Sequence, residues 1–259
     1  MGWVLLSAPV FQREWILNDW FASIETQNFP MEDSGFQFEA GPNDDATMQC
    51  LMDFYNRHPE VRCFDIVINT QETHDSHLEG QRNWRRERYA TMANFRNNLL
   101  ERAVCKSPDK MFSLDTDILL EDPTTITQLY NLTETLDAVS PLCFMTPVDI
   151  EFPNVMTWGH AARGFRKQDY PLGSTFQADV IMAAVMMSKP VYTHARYQYH
   201  EQGEDLGWSL HAGSQGFKLY NASNIYSPHI MSRAMLAHYK QYGDPRKRML
   251  ENKLSQKVL

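Results

Sequence analysis

Two aspartates interrupt an apolar run in the stretch KMFSLDTDILLEDP, Lys110 to Pro123. Met111, Phe112, Leu114, Ile118, Leu119 and Leu120 suit a strand in the middle of a sheet; Asp115 and Asp117 do not. Burying a carboxylate without a partner costs several kcal/mol. In an extended chain residues i and i+2 project to one side, which sets the two carboxylates roughly 7 Å apart. Carboxylate oxygens are hard ligands suited to Mg2+ or Mn2+, and an octahedral ion held by one or two of them keeps positions open for phosphate oxygens. Helix capping explains Asp122, just ahead of Thr124, but neither Asp115 nor Asp117.

A second acidic pair, Glu204-Asp205, follows Gly203 at an expected helix start. The helix dipole and free N–H groups favour a carboxylate there, which is the plain structural explanation of either residue. The chemical one makes Asp205 a general base for an attacking hydroxyl, with Glu204 orienting the acceptor or the base. Trp208, one turn on, is either a core anchor or a platform for a sugar ring. His74 and His77 are spaced H-x-x-H with no third ligand in view, so a substrate-lining loop is the better reading. Six arginines lie between Arg82 and Arg102 against Glu87 and Glu101. They read as a solvated helix face, or as guanidinium forks for a diphosphate or nucleic-acid phosphate.

The elements that must position these groups alternate. Trp3–Ala8, Phe36–Ala40, Cys63–Ile68 and Met111–Leu114 read as strands, and Glu14–Gln27, a segment capped by Asn43-Asp44-Asp45, and Arg82–Val104 read as helices. Such alternation predicts a mostly parallel sheet covered on both faces, with ligands at the carboxyl ends of its strands. The stretch from Val148 to Phe176 is rich in Gly, Pro and aromatics and reads as a long ordered loop or small hairpin region. Ala178–Ser188, Gly203–Gly213, Phe217–Tyr220 and Met231–Lys253 follow as a strand or buried segment, a helix, a strand and one charged helix.

With 259 residues, 43% hydrophobic and 22% charged, the chain suits one large globular domain. The net charge of −8 argues mildly against a general polyanion binder. Four cysteines without CxxC spacing suggest neither zinc nor redox chemistry, and point to reduced thiols in a cytoplasm. The apolar start MGWVLLSAPVF lacks a basic flank and is cut by Gln12-Arg13-Glu14, so neither a signal peptide nor a membrane anchor is expected.

Several segments together resemble a known family. SAPVFQREWILNDWFASIETQNFP resembles the opening of GT-A glycosyltransferases of the family 2 type, with Pro9 in the first turn and Ser23, Ile24, Gln27, Phe29 and Pro30 at the fixed positions. NDDATMQCLMDFY resembles the segment after their second strand, through Asp45 and Thr47. ATMANFRNNLLERA with MFSLDTDILLEDP is similar to their helix–strand–DxD unit, and to the version in Anp1-type mannosyltransferases through Arg96-Asn97 and Leu99-Leu100. ADVIMAAVMMSKPVY resembles the strand before the acceptor site, and GEDLGWSLHAGSQGFKLYNASNIYSPH the glutamate–aspartate motif, its helix and the late histidine.

The resemblance implies an α/β fold, a GT-A type doubly wound sheet in a single domain. Its donor-binding half would cover about residues 1–122, its acceptor-binding half about 123–230, and a C-terminal helix 231–259. It implies a UDP- or GDP-sugar donor and Mn2+ or Mg2+ held by Asp115, Asp117 and His229, with Asp117 the direct ligand and Asp115 binding through water or holding the ribose. Pro9, Arg13, Asn43, Arg96, Asp115 and Trp208 would contact the donor. Asp205, with Glu204, would serve the acceptor in an inverting reaction, although the Anp1-like stretch belongs to retaining enzymes. The acceptor would be a glycan, a protein or a hydroxymethylated DNA base. Two departures stand out. Glu39-Ala40-Gly41-Pro42 lacks the aspartate that reads uracil, leaving Glu39 or Asn43 to substitute, and Ala183-Ala184 replaces a glycine-rich turn. A nucleotidyltransferase would carry a glycine- and arginine-rich loop after the first strand, where SAPVFQRE has no glycine. A binding module without catalysis would have no need of Asp115, Asp117, Asp205 and His229 together.

Overall fold

The short apolar runs become strands and the periodic stretches become helices in a computed structural model that describes residues 2–41, 45–70, 86–147, 150–157 and 170–256. β1 (Val4–Val10), α1 (Glu14–Glu25), β2 (Ser34–Ala40), α2 (Thr47–Arg57), β3 (Cys63–Ile68), α3 (Arg86–Lys106) and β4 (Lys110–Leu114) alternate as expected. Their strands are parallel, in the order β3-β2-β1-β4. The order reverses between β1 and β4. The carboxyl ends of these two strands therefore open the crevice in which doubly wound sheets bind ligands.

Beyond β4 the chain forms α4 (Thr125–Leu132), β5 (Ala138–Leu142), β6 (Val155–Met156), β7 (Thr175–Ala178), β8 (Val180–Ile181), β9 (Ala184–Ser188), α5 (Lys189–His194), α6 (Glu204–Ser214) and β10 (Leu219–Tyr226). The main sheet continues β4-β9-β5-β10-β7. β9 runs antiparallel to β4 and β5, β10 parallel to β5, and β7 antiparallel to β10. β6 and β8 pair separately.

The end of the chain differs from the single helix expected. α7 (Arg233–Tyr242) and α8 (Pro245–Ser255) are separate. Gly243 ends the first at φ 73°, Asp244 caps the second through Arg246 N–H, and Pro245 occupies its first turn. Among the described residues no helix is long and apolar enough to cross a membrane.

Two apolar layers clamp the sheet. On one face α1 and α2 bury Trp20, Phe21 and Phe54 against Phe36 and Phe38, with Phe21 and Phe54 stacked at 3.9 Å. On the other, α3, α5 and α6 bury Leu99, Leu100, Tyr192 and Trp208 against Met111 and Met187. Each such side chain contributes about 1.5–3 kcal/mol. The first layer reaches the crevice directly, because Trp20 Nε1 donates to the Asp115 carbonyl at 3.1 Å.

α8 fastens the far side of the crevice. Arg246 is fully buried. It grips Asp244 through Nε and Nη2 (2.9 and 2.7 Å) and donates to the carbonyls of Thr146 (2.9 Å) and His229 (3.0 Å). The Tyr226 hydroxyl completes the cluster on Asp244 at 2.6 Å.

Two glycines set the position of α6. Gly203 precedes it at φ 126°, a conformation that side chains rarely adopt, and a Cβ on Gly207 would stand 2.0 Å from the Gln198 carbonyl oxygen. Gly207→Ala is expected to cost about 3 kcal/mol or more by forcing α6 off its neighbour. Gly213→Ala meets open space within 4 Å and is expected to stabilise by up to about 1 kcal/mol. Denaturant melts of the two variants check the contrast.

Candidate active site

The chain does not stay extended past β4. Ile118 N–H donates to the Asp115 carbonyl at 3.0 Å, closing a turn over Asp115–Ile118. The expected strand-like presentation of Asp115 and Asp117 is thereby corrected: both line one cavity but take different partners. Asp115 accepts from Arg96 Nη2 at 2.7 Å. Asp117, 6% exposed, lies 3.7 Å from Arg13 and 3.5 Å from His229 Nε2.

His229 arrives from a separate segment that zips onto the turn. Leu119 N–H donates to Pro228 O (2.9 Å), Ile230 N–H donates to Asp117 O (2.7 Å), and Ile118 bridges His229. The imidazole Nδ1 sits 3.1 Å from the Phe144 carbonyl. That carbonyl only accepts, so Nδ1 carries a proton and Nε2 is the ring nitrogen turned toward Asp117.

Arg96 is the hub of the opposite side. Only 4% exposed, it donates from Nη2 to Asp115, from Nη1 to Ser113 Oγ (3.3 Å) and from Nε to Glu204 (3.2 Å), and it stands 3.9 Å from Asp205. Its guanidinium lies over the Tyr197 ring at 5.4 Å, and Tyr197 stacks on Trp208 at 5.8 Å. Asn97 fixes Tyr197 by exchanging two hydrogen bonds with its backbone (2.9 and 2.8 Å). Burial opposes the charge on Arg96, but Asp115, Asp205, Tyr197 and Glu204 hold its pKa well above the ordinary value. Burial pushes Asp115 and Asp205 up to about 6 against the pull of Arg96.

Asp205 and Glu204 occupy the first turn of α6, as the sequence suggested. Asp205 is aimed by an unusual turn. Ala184 N–H donates to Met182 O at 2.8 Å around Ala183, which has φ 69°. This is the strained hand of the three-residue turn for a residue bearing a Cβ. Ala183 O accepts from Asp115 N–H (2.9 Å), and Ala183 N–H points at Asp205 (3.4 Å). A glycine would take this conformation without strain, which gives the Ala183-Ala184 departure a local energetic cost.

Pro9, Arg13, Arg96, Asp115, Asp117, Glu204, Asp205 and His229 all line the cavity of about 440 Å3. Trp208 does not: it is fully buried, and its role as a donor or sugar contact is corrected to that of a support for Tyr197. Glu39 is also committed elsewhere, buried and held by Arg102 (2.6 Å), Asn98 (2.9 Å) and Asn69 (3.2 Å). Asn43, His74 and His77 lie outside the described residues. Sequence reasoning named Arg88 only as one of six arginines along the helix, and it missed Tyr89 and Met92, which α3 presents on the same face as Arg96. Their spacing of three, four and seven from one another and from Arg96 was the available signal.

Among the described residues, no three His, Cys, Asp or Glu side chains gather closely enough to hold a metal by themselves. Asp117 and His229 still suit a shared ion. One offers carboxylate oxygen and the other an imidazole nitrogen with its proton held on the far side. Mg2+ and Mn2+ accept such sparse protein shells when substrate phosphates complete them. Asp115, expected as a third ligand, is instead paired with Arg96.

No protein-family model matches this sequence, and no curated protein matches it. Solved structures do resemble it. The mannosyltransferase PcManGT from Pyrobaculum calidifontis, in complex with GDP-Man and Mn2+, superposes with TM-score 0.57 at 13% identity, over 90% of this chain and 59% of that one. S. aureus TarS 1-349 gives TM-score 0.57 at 12% identity, over 88% and 60%. Its complex with UDP-GlcNAc gives 0.53 at 12% identity, over 88% and 58%. The chain therefore spans about three fifths of the length of these proteins. It has their GT-A fold.

Removing the Arg96 guanidinium leaves the buried Glu204 and the half-buried Asp115 and Asp205 without a counter-ion. Arg96→Met is expected to destabilise the metal-free protein by about 3–5 kcal/mol. Adding Asp115→Asn should recover part of that loss, because the two groups share one network. Denaturant unfolding of the single and double variants measures the coupling; strict additivity would contradict the network.

Proposed function

We propose that this chain is a metal-dependent glycosyltransferase that moves a sugar from a nucleotide-sugar donor to an acceptor hydroxyl, with inversion and with Asp205 as general base. The observation that carries the reading is the pairing of two acidic centres in one cavity. Asp117 with His229 lies on one side, Glu204 with Asp205 on the other, and Arg96 links the second pair to Asp115. The cavity opens where β1 and β4 end, at the reversal of strand order, which is where a nucleotide is expected. Proteins of the same fold are known in complex with GDP-Man and Mn2+ and with UDP-GlcNAc.

Asp117 and His229 would hold Mn2+ or Mg2+, which supplies a Lewis acid for the charge on a departing diphosphate. Arg13, a third exposed and 3.7 Å from Asp117, would bind that diphosphate and orient it. At the other side the acceptor oxygen forms the new bond to the anomeric carbon as the bond from that carbon to the diphosphate breaks. The acceptor proton passes to the Asp205 carboxylate. The Ala183 N–H and Arg96 keep that carboxylate in place, and Glu204, 5% exposed, holds Arg96. The acceptor class is a glycan, a protein or a hydroxymethylated DNA base. Because Glu39 is held by Arg102 rather than turned to the cavity, both UDP- and GDP-sugars belong in the test.

A thermal-shift and hydrolysis panel of nucleotide sugars with Mn2+ is expected to find a donor whose stabilisation disappears with EDTA and with Asp117→Ala. If no donor shifts the melting temperature, or if Asp117→Ala leaves the shift intact, the transferase reading fails.

Asp205→Asn should keep the donor-induced shift and lower kcat about 10²–10⁴-fold; retained transfer would remove Asp205 as the base. The wild-type pH profile carries a further expectation. Asp205 faces Arg96 from α3, Glu204 from α6, Asp115 from the β4 turn and the Ala183 amide, and burial places it at about 6. The base works only when deprotonated. kcat/KM should therefore fall as pH drops through about 6, above the range of an ordinary aspartate.

A further inference from the structure

Four methionines, Met92, Met145, Met182 and Met231, reach the cavity together with Tyr89 and Phe152. Backbone pairing brings three of these six side chains together. Met145 N–H donates to Phe152 O at 2.8 Å, and Phe144 pairs with Pro153. Asn154 then ties this segment to Met182, donating from its side chain to Met182 O (2.9 Å) and accepting from Met182 N–H at its own carbonyl (3.1 Å). Met145, Phe152 and Met182 thus form one apolar wall beside the Ala183 turn. Tyr89 and Met92 come from α3, seven and four residues before Arg96 on the face that also carries it. A Cβ on Gly203 would lie 3.8 Å from the Tyr89 ring, which sets that ring against the start of α6, next to Glu204 and Asp205.

The wall returns almost nothing to a hydroxyl-rich molecule. A phenyl ring has no hydrogen-bonding group, and a thioether sulfur accepts only weakly. Each hydroxyl pressed against it would give up bonds to water without replacement. Aromatic rings fit better, because thioethers adapt to irregular shapes and make favourable contacts at ring edges. Tyr89 and Phe152 add ring surfaces of their own.

We propose that the acceptor hydroxyl is borne by an aromatic ring, as a phenol or a hydroxymethyl arene. The ring sits between the Met145–Phe152–Met182 wall and the Tyr89–Met92 face, and its hydroxyl reaches Asp205. The word acceptor rests on the glycosyltransferase reading; the aromatic seat itself does not need a donor.

The test uses metal-free full-length protein with isotopically labelled methionine methyl groups, titrated in separate experiments with benzyl alcohol, a methyl hexoside and octanol. Benzyl alcohol is expected to shift the methyl signals of Met92, Met145, Met182 and Met231 by ring currents. Met111 and Met187, buried in the apolar layer beneath α3, α5 and α6 and outside the cavity lining, should stay in place. The double variant Met92→Gln, Met145→Gln, at half-buried positions, should weaken benzyl alcohol binding about tenfold or more while its melting temperature stays near that of the wild type. No response to benzyl alcohol, equal or tighter binding of the hexoside or octanol, or unchanged binding in the double variant would overturn the aromatic seat. The nucleotide-sugar panel with Mn2+ on the same preparation separates the two ideas. A donor-induced shift without benzyl alcohol binding refutes the seat and leaves the transferase. Benzyl alcohol binding without any donor-induced shift supports the seat and removes the transferase.

Discussion

Arg96 donates to Asp115 and Glu204 from a side chain that is only 4% exposed, and it stands close to Asp205 as well. A buried guanidinium is tolerable only if its donors are satisfied and its charge is met. Three carboxylates and the Ser113 hydroxyl do this, and the stacked rings of Tyr197 and Trp208 fill the space behind it. The dependence is mutual, since the carboxylates have no comparable reason to be buried without Arg96. α3, the end of β4 and the start of α6 are locked to one another by this one side chain. The crevice between β1 and β4 inherits its shape from that lock.

The two acidic centres are built by opposite means. Asp117 and His229 meet because the segment 228–230 pairs with the turn after β4, so ordinary backbone hydrogen bonds set their spacing. Asp205 is placed by less favourable choices: a glycine at φ 126°, a second glycine pressed on the Gln198 carbonyl, and an alanine at φ 69°. Strain of this kind persists only where the surroundings over-determine it. Here the over-determination comes from Ala183 bonding to both Asp115 and Asp205.

Local physics was largely legible. Cys63–Ile68 forms a strand over the residues its apolar run indicates, and Asp45 receives the Thr47 N–H at the start of α2. Glu204 opens α6 because Gly203 ends the preceding loop. The split of the C-terminal helix was also written locally, in Gly243-Asp244-Pro245, but the charged periodicity on either side masked it. What the sequence could not display were pairings across distance. Arg96 lies 19 positions from Asp115 and 108 from Glu204, so no local pattern could say that a guanidinium would neutralise Asp115. Trp208 shows the same limit: helical spacing marks it as facing inward, and only the neighbouring Tyr197 decides between core and cavity. The turn at Ala183 had no signal in its own residues, because alanine does not announce positive φ; only the resemblance, through the glycine-rich turn that Ala183-Ala184 replaces, pointed to it.

Arg246 reaches 100 positions back to the Thr146 carbonyl and also holds that of His229, next to Asp117. A fully buried arginine cannot detach halfway, since each intermediate position would leave a charge and several donors without water or partner. Release of α8 and loosening of the segments around Thr146 and His229 are therefore one opening event rather than two. The histidine side of the crevice is only as long-lived as the docking of a helix that never touches it with a catalytic group. Order in this half of the site is set by an all-or-none latch at its back, while order in the other half is set by the salt-bridged hub within it.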